Sequence, residues 1–133
     1  MKTQRNKRRF GLMYMLFEEW LNGYLEKGIP QEVVAVNFNI YEETGNNWSI
    51  EIVGTGSFDE EDEDWACDEI TDFGSRENLF TMESDEEWEA VLGNVIGIIK
   101  EYLEKGKYAS SLKGLTAVGT GFVDGDIEIL YMK

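Results

Sequence analysis

From Phe10 to Lys27, apolar side chains at Met13, Leu16, Phe17, Trp20, Leu21, Tyr24 and Leu25 recur at steps of three and four, the stripe of an amphipathic helix. Gly28 offers a left-handed stop and Pro30 bars continuation. The period then changes. Val34, Val36, Phe38 and Ile40 alternate with Ala35, Asn37, Asn39 and Tyr41, and after the turn Thr44-Gly45-Asn46-Asn47 the residues Trp48, Ile50 and Ile52 alternate with Ser49, Glu51 and Val53. Period two on both sides of a turn predicts two strands in an antiparallel hairpin.

Glycines at 54 and 56 loosen the end of this hairpin before six adjacent carboxylates, Asp59 to Asp64, which repel one another and predict a loop or a bulge at a strand edge. Trp65 to Ile70 then reads as a third strand, with Trp65, Cys67 and Glu69 on one face. Ser84 and Glu87 have the spacing of a capping box, and Asp85 and Glu86 would meet the positive end of a helix dipole. The stripe Trp88, Val91, Leu92, Val95, Ile98, Ile99, Tyr102 and Leu103 sustains that helix to Gly106, with Lys100 and Lys105 near its carboxyl end. After a polar turn or half-helix at 107–113, the segments 115–123 and 127–132 predict two strands joined by Asp124-Gly125. Helices and hairpins are segregated rather than alternating. This predicts an α+β domain over 10–133, a mainly antiparallel sheet of four to five strands packed against two amphipathic helices.

Composition changes this picture in three ways. At 133 residues and 42% hydrophobic content, the chain can bury roughly two thirds of its unfolded surface without disulfides or a metal. With no histidine, Ser-His-Asp and Cys-His catalysis and imidazole metal ligands are excluded. The lone Cys67 excludes an intramolecular disulfide and a cysteine-cluster zinc site, reads as a small buried hydrophobe, and suits a reducing, cytoplasmic compartment. Segment 10–17 imitates a signal peptide, but it runs into Glu18 and Glu19 without a small-residue cleavage site.

Charge sharpens the rest. The 27 acidic side chains outnumber 12 basic ones, and five of the basic ones, Lys2, Arg5, Lys7, Arg8 and Arg9, stand in residues 1–9, read as a disordered basic arm. Residues 42–89 hold 18 acidic side chains and one basic, Arg76. Such a field repels nucleic acid and anionic membranes and favours a basic protein partner.

The acid run lacks the central glycine and closing glutamate of a calcium loop, so its choices are a solvated charge run or a docking surface. Acids continue through Asp68, Glu69 and Asp72 and on to 83–89, interleaved with Trp65, Phe73, Phe80 and Trp88. Charge combined with aromatic anchors is an interface composition. The expected partner-binding residues are therefore Asp59, Glu60, Glu61, Asp62, Glu63, Asp64, Trp65, Asp68, Glu69 and Asp72, with no catalytic residue, metal or cofactor. Gly119-Thr120-Gly121 has no lysine-bearing phosphate-loop pattern and reads as a bulge or a close backbone approach.

The progression FEEWLNGYLEKGIPQEVVAVNFNIYE, WSIEIVGTGSFDEEDEDWACDEI and YLEKGKYASSLKGLTAVGTGFVDGDIEILY resembles small acidic uncharacterised bacterial proteins, some of them similar to immunity proteins for secreted polymorphic toxins. The resemblance implies a cytosolic single domain that neutralises a toxin, such as a nuclease, by occluding it. A small-molecule or metal-binding domain with a pocket between sheet and helices is the alternative, and an enzyme using carboxylates alone is a third reading.

Overall fold

The computed structural model describes residues 2–133, with the side chains of residues 2–9, 71 and 72 outside that description. The first helix, α1 (Lys2–Leu25), ends where Gly28 adopts φ 86°, a conformation that costs a glycine little. It begins at Lys2 rather than Phe10, so the backbone of the basic leader continues the helix; Met1 and the leader's side chains, and with them the expectation of a disordered arm, lie outside the described residues.

The hairpin forms as the alternation predicts. Strand β1 (Ala35–Glu42) pairs antiparallel with β2 (Asn47–Thr55), setting Phe38 opposite Ile52 and Ile40 opposite Ile50. Beyond it the chain departs from the prediction. Trp65 lies in a 3-10 turn (Glu63–Cys67), and the third strand, β3 (Glu69–Gly74), starts later. A short strand with no predicted counterpart follows, β4 (Phe80–Glu83). The second helix, α2 (Trp88–Lys105), begins at Trp88 without a side-chain cap. Ser84 lies three residues ahead of the cap position, Glu87: its N–H is donated to the Asn46 carbonyl at 2.8 Å and its carbonyl accepts Trp48 Nε1 at 3.0 Å, which keep it at the end of β4, while its hydroxyl accepts the Glu86 N–H at 3.2 Å. Gly106 closes α2 in extended rather than left-handed geometry, and the half-helix appears as α3 (Ala109–Lys113). The last hairpin, β5 (Ala117–Phe122) and β6 (Glu128–Met132), turns at Asp124-Gly125 with the Gly125 N–H on the Phe122 carbonyl at 2.9 Å.

The sheet has six strands rather than four to five, in the order β3-β2-β1-β5-β6 with β4 also on β2. It is mostly antiparallel but mixed, because β5 runs parallel to β1. The connection through α2 and α3 carries the chain back to the end where β1 starts, the geometry a parallel pair demands. Strands β3 and β4 lie end to end along the outer edge of β2: Glu69 faces Thr55 at one end and Glu83 faces Asn47 at the other. Ser75 bridges the gap between them. Its hydroxyl accepts the Ile52 N–H at 2.9 Å, and its own N–H goes to the Ile52 carbonyl at 3.2 Å.

The helix-side core centres on Phe17, whose ring lies 5.9 Å from Phe38, 5.5 Å from Phe80 and 6.5 Å from Tyr102, tying α1 to β1, β4 and α2. Leu21, Leu25, Ile50, Ile52, Val95, Ile98 and Ile99 complete it. The opposite face is covered only in part, by a small cluster of Ala35, Trp65 and Ala117 with Phe58, Ile127 and Ile129 at its margin. Gly121 meets the Asp126 carbonyl so closely that no side chain would fit, and the expected close backbone approach is the role of this glycine.

Ser75→Ala leaves the Ile52 N–H buried without an acceptor and is expected to cost about 1–3 kcal/mol of stability. Urea unfolding monitored by tryptophan fluorescence checks this, and Ser75→Thr, which keeps the hydroxyl, should recover part of the loss.

Candidate functional site

The acid run is a built loop. At its base the Gly56 N–H is donated to the Asp68 carbonyl at 2.9 Å, and the Thr55 hydroxyl reaches the Ser57 carbonyl at 2.9 Å. Phe58 and Trp65 meet edge to face at 5.1 Å, and Trp65, only 4% exposed, packs with Ala35 and Ala117 on the sheet. Between these anchors, Asp59 Oδ1 accepts the Glu61 N–H at 2.9 Å and Asp62 Oδ1 accepts the Asp64 N–H at 3.0 Å, the latter heading the 3-10 turn. Glu63 Oε2 accepts the Ile127 N–H at 2.9 Å and fastens the loop to the β5–β6 hairpin.

Six like charges a few ångströms apart repel by about 1 kcal/mol per adjacent pair in water. Burial of two aromatic rings and the hydrogen bonds of Asp59, Asp62 and Glu63 oppose that repulsion. All six residues from Asp59 to Asp64 remain exposed.

Next to the loop lies a polar network that sequence reasoning missed. Glu51 is only 2% exposed, although strand alternation sets it opposite the helices. Its carboxylate accepts the Tyr41 hydroxyl and, at 3.1 Å, Arg76 Nε, while the Arg76 guanidinium also grips both oxygens of Glu69, one at 2.8 Å. A buried carboxylate needs such partners, because removing them would strand a desolvated charge. The one signal in the sequence was Arg76 itself, the only base in 42–89. Asn37, also 2% exposed, donates from Nδ2 to Asn39 Oδ1 at 2.6 Å, and its own Oδ1 has no partner among the described residues.

The predicted site residues therefore divide. Asp59 to Asp64 and Asp68 face solvent; Glu69 is held by Arg76; Trp65 is an internal anchor and not a surface one; the side chain of Asp72 lies outside the described residues. Cys67 is exposed, not the buried hydrophobe expected from its composition class. Phe73 and Phe80 are buried in the core, whereas Trp88 is 52% exposed and rests edge-on against Phe122 at 6.0 Å. The acids of 59–69 and those of 83–89 do not share one face, because Glu69 and Glu83 pair with opposite ends of β2, about 26 Å apart at the rise of a strand. Among the described residues, no three His, Cys, Asp or Glu side chains converge in a way that could hold a metal ion. Nor, among the described residues, is any helix long and apolar enough to cross a membrane.

Burial and then the bond to Glu51 push the Tyr41 hydroxyl up from 10.0 to about 12. Tyr102 moves the same way, to about 12, chiefly through burial. The unfolded chain loses these protons first, so their stabilising contribution is complete below pH 10, declines above it and is gone once pH passes about 12. Thermal melts across the alkaline range should show this fall, and Tyr41→Phe should make it shallower. An unchanged alkaline slope in that variant would mean that the Tyr41–Glu51 bond is not formed in solution.

No family model matches this chain, and no curated protein or solved structure matches it significantly.

Proposed function

We propose that this chain is a non-enzymatic, immunity-like protein of the cytoplasm that binds a basic protein partner, such as a secreted toxin acting on nucleic acid, and occludes its working face. The single observation that carries the reading is the acidic loop. Its six exposed carboxylates are displayed on a segment anchored by Trp65, Phe58 and the Glu63–Ile127 bond, so their positions are set before any partner arrives. Preorganised charge is what electrostatic steering requires, and it reduces the ordering cost of association.

Among the described residues no salt bridge reaches the loop. Arg76, the only base between residues 42 and 89, already pairs with Glu51 and Glu69. A protein that grips phosphates presents cationic side chains, and those side chains are the natural complement of this loop.

The test uses the partner recovered with this protein from its own cells, produced separately and mixed in a stopped-flow instrument. Association should slow roughly tenfold or more between low and physiological salt. Combining Asp59→Asn, Glu60→Gln, Glu61→Gln, Asp62→Asn and Asp64→Asn keeps the carbonyl acceptors of the turn while removing charge, and should flatten that salt dependence with little change in melting temperature. A partner that is itself acidic, or an association rate indifferent to salt, sinks the proposal.

A further inference from the structure

At the other end of β2, α1 overhangs β4 without filling the space beside it. The result is an open groove of about 790 Å³ lined by Phe10, Leu12, Met13 and Leu16 from α1, by all four residues of β4, and by Asp85, Glu86 and Asn94. Leu12 and Leu16 are 59% and 51% exposed, an apolar overhang that nothing covers among the described residues.

The direction of the β4 backbone gives this groove its character. The Ser84 N–H is donated to the carbonyl of Asn46, the residue just before β2, so by the alternation of an antiparallel ladder Met82 and Phe80 also turn their main-chain groups to β2. Thr81 and Glu83 then turn theirs outward, into the groove, and β4 pairs with no other strand. Main-chain groups with no partner among the described residues, beside exposed leucines, form an acceptor edge for an added strand.

Charge selects the strand. Glu83, Asp85 and Glu86 rim the groove, no lysine or arginine among the described side chains lines it, and Glu86 is held in place by Asn94 Nδ2 at 3.1 Å and the Ser84 hydroxyl at 3.2 Å. A second copy pairing edge to edge would set these carboxylates against their own kind. We infer that the free edge of β4 receives an extended segment of a partner protein in which apolar residues alternate with lysine or arginine, the apolar ones packing under Leu12 and Leu16 and the basic ones meeting the rim. This site goes beyond the acidic loop, which lies at the far end of β2, and can be tested separately from it.

The probe is a synthetic peptide of about nine residues, a typical strand length, alternating lysine with valine and blocked at both ends. The control is the same peptide N-methylated on the edge that would pair, which keeps the charge and removes the donors. Titration into the 15N-labelled full chain should move the amide signals of Thr81, Glu83, Leu12 and Leu16, and N-methylation should weaken binding roughly tenfold or more. Thr81→Pro removes an outward donor from an edge strand, where proline is tolerated, and should lower affinity similarly while the remaining spectrum stays folded. Equal binding of the N-methylated peptide, perturbations confined to residues 59–64, or self-association through β4 would each overturn the inference. The second of these outcomes would leave the acidic-loop reading standing.

Discussion

The outer edge of β2 must be paired along its nine residues, and no single strand of this chain does it. Two short strands share the task, and where they meet the ladder would break at Ile52. Ser75 repairs it by offering a hydroxyl where a neighbouring strand would offer a carbonyl. This splice is the constraint on which the functional surface depends. It holds Glu69 at one end of β2, beside the acidic loop, with Arg76 reaching both it and Glu51 at the middle of the strand, and Glu83, Asp85 and Glu86 at the other. Had one long strand run beside β2, its acids would have formed a single row, and β4 would not present a separate free edge under α1.

The same arrangement explains how a chain so rich in carboxylates tolerates its own charge. Several of the acids that lie close together are bonded to main-chain N–H groups, as Asp59, Asp62 and Glu63 are, or fixed to Arg76, as Glu51 and Glu69 are. The remainder project into water, where a Debye length of about 8 Å at physiological salt limits their mutual repulsion. Separating two acidic regions by the length of β2 leaves each largely outside the other's screened field.

Sequence periodicity located what depends on neighbours near in the chain. The stripe of α1, the β1–β2 hairpin, the stripe of α2 and the Asp124-Gly125 turn were all legible, because each repeats a pattern several times within a short span. Features set by partners distant in sequence were not. Strand β4 has four residues, too few to display a period, and exists because β2 supplies its hydrogen bonds. Ser84 has the chemistry of a helix cap, but Asn46 and Trp48 claim its backbone first. The parallel β1–β5 pair depends on a crossover whose return point composition does not encode. At the candidate site, the exposure of the loop's carboxylates was legible, whereas the loop's extension through the 3-10 turn to Asp68, the burial of Glu51 and the inward course of Trp65 required knowing what lies opposite them.

Trp65 bears on how the two acidic regions would divide the work of the proposed interface. An interface takes most of its binding energy from desolvated aromatic and apolar anchors, while exposed charges set the encounter rate. In the loop the aromatic side chains Phe58 and Trp65 are committed to holding the loop itself, so what it shows a partner is almost wholly charge. Beside β4 the balance is reversed: exposed Leu12 and Leu16 and a row of main-chain groups stand behind only a rim of carboxylates. On the proposed reading, the loop would attract a cationic protein from a distance but offer little to retain it, and the groove would retain a segment after contact. A partner that engaged both would span the length of β2, so the dimension that keeps the two acidic groups apart is also the one that an inhibitory interface would have to cover.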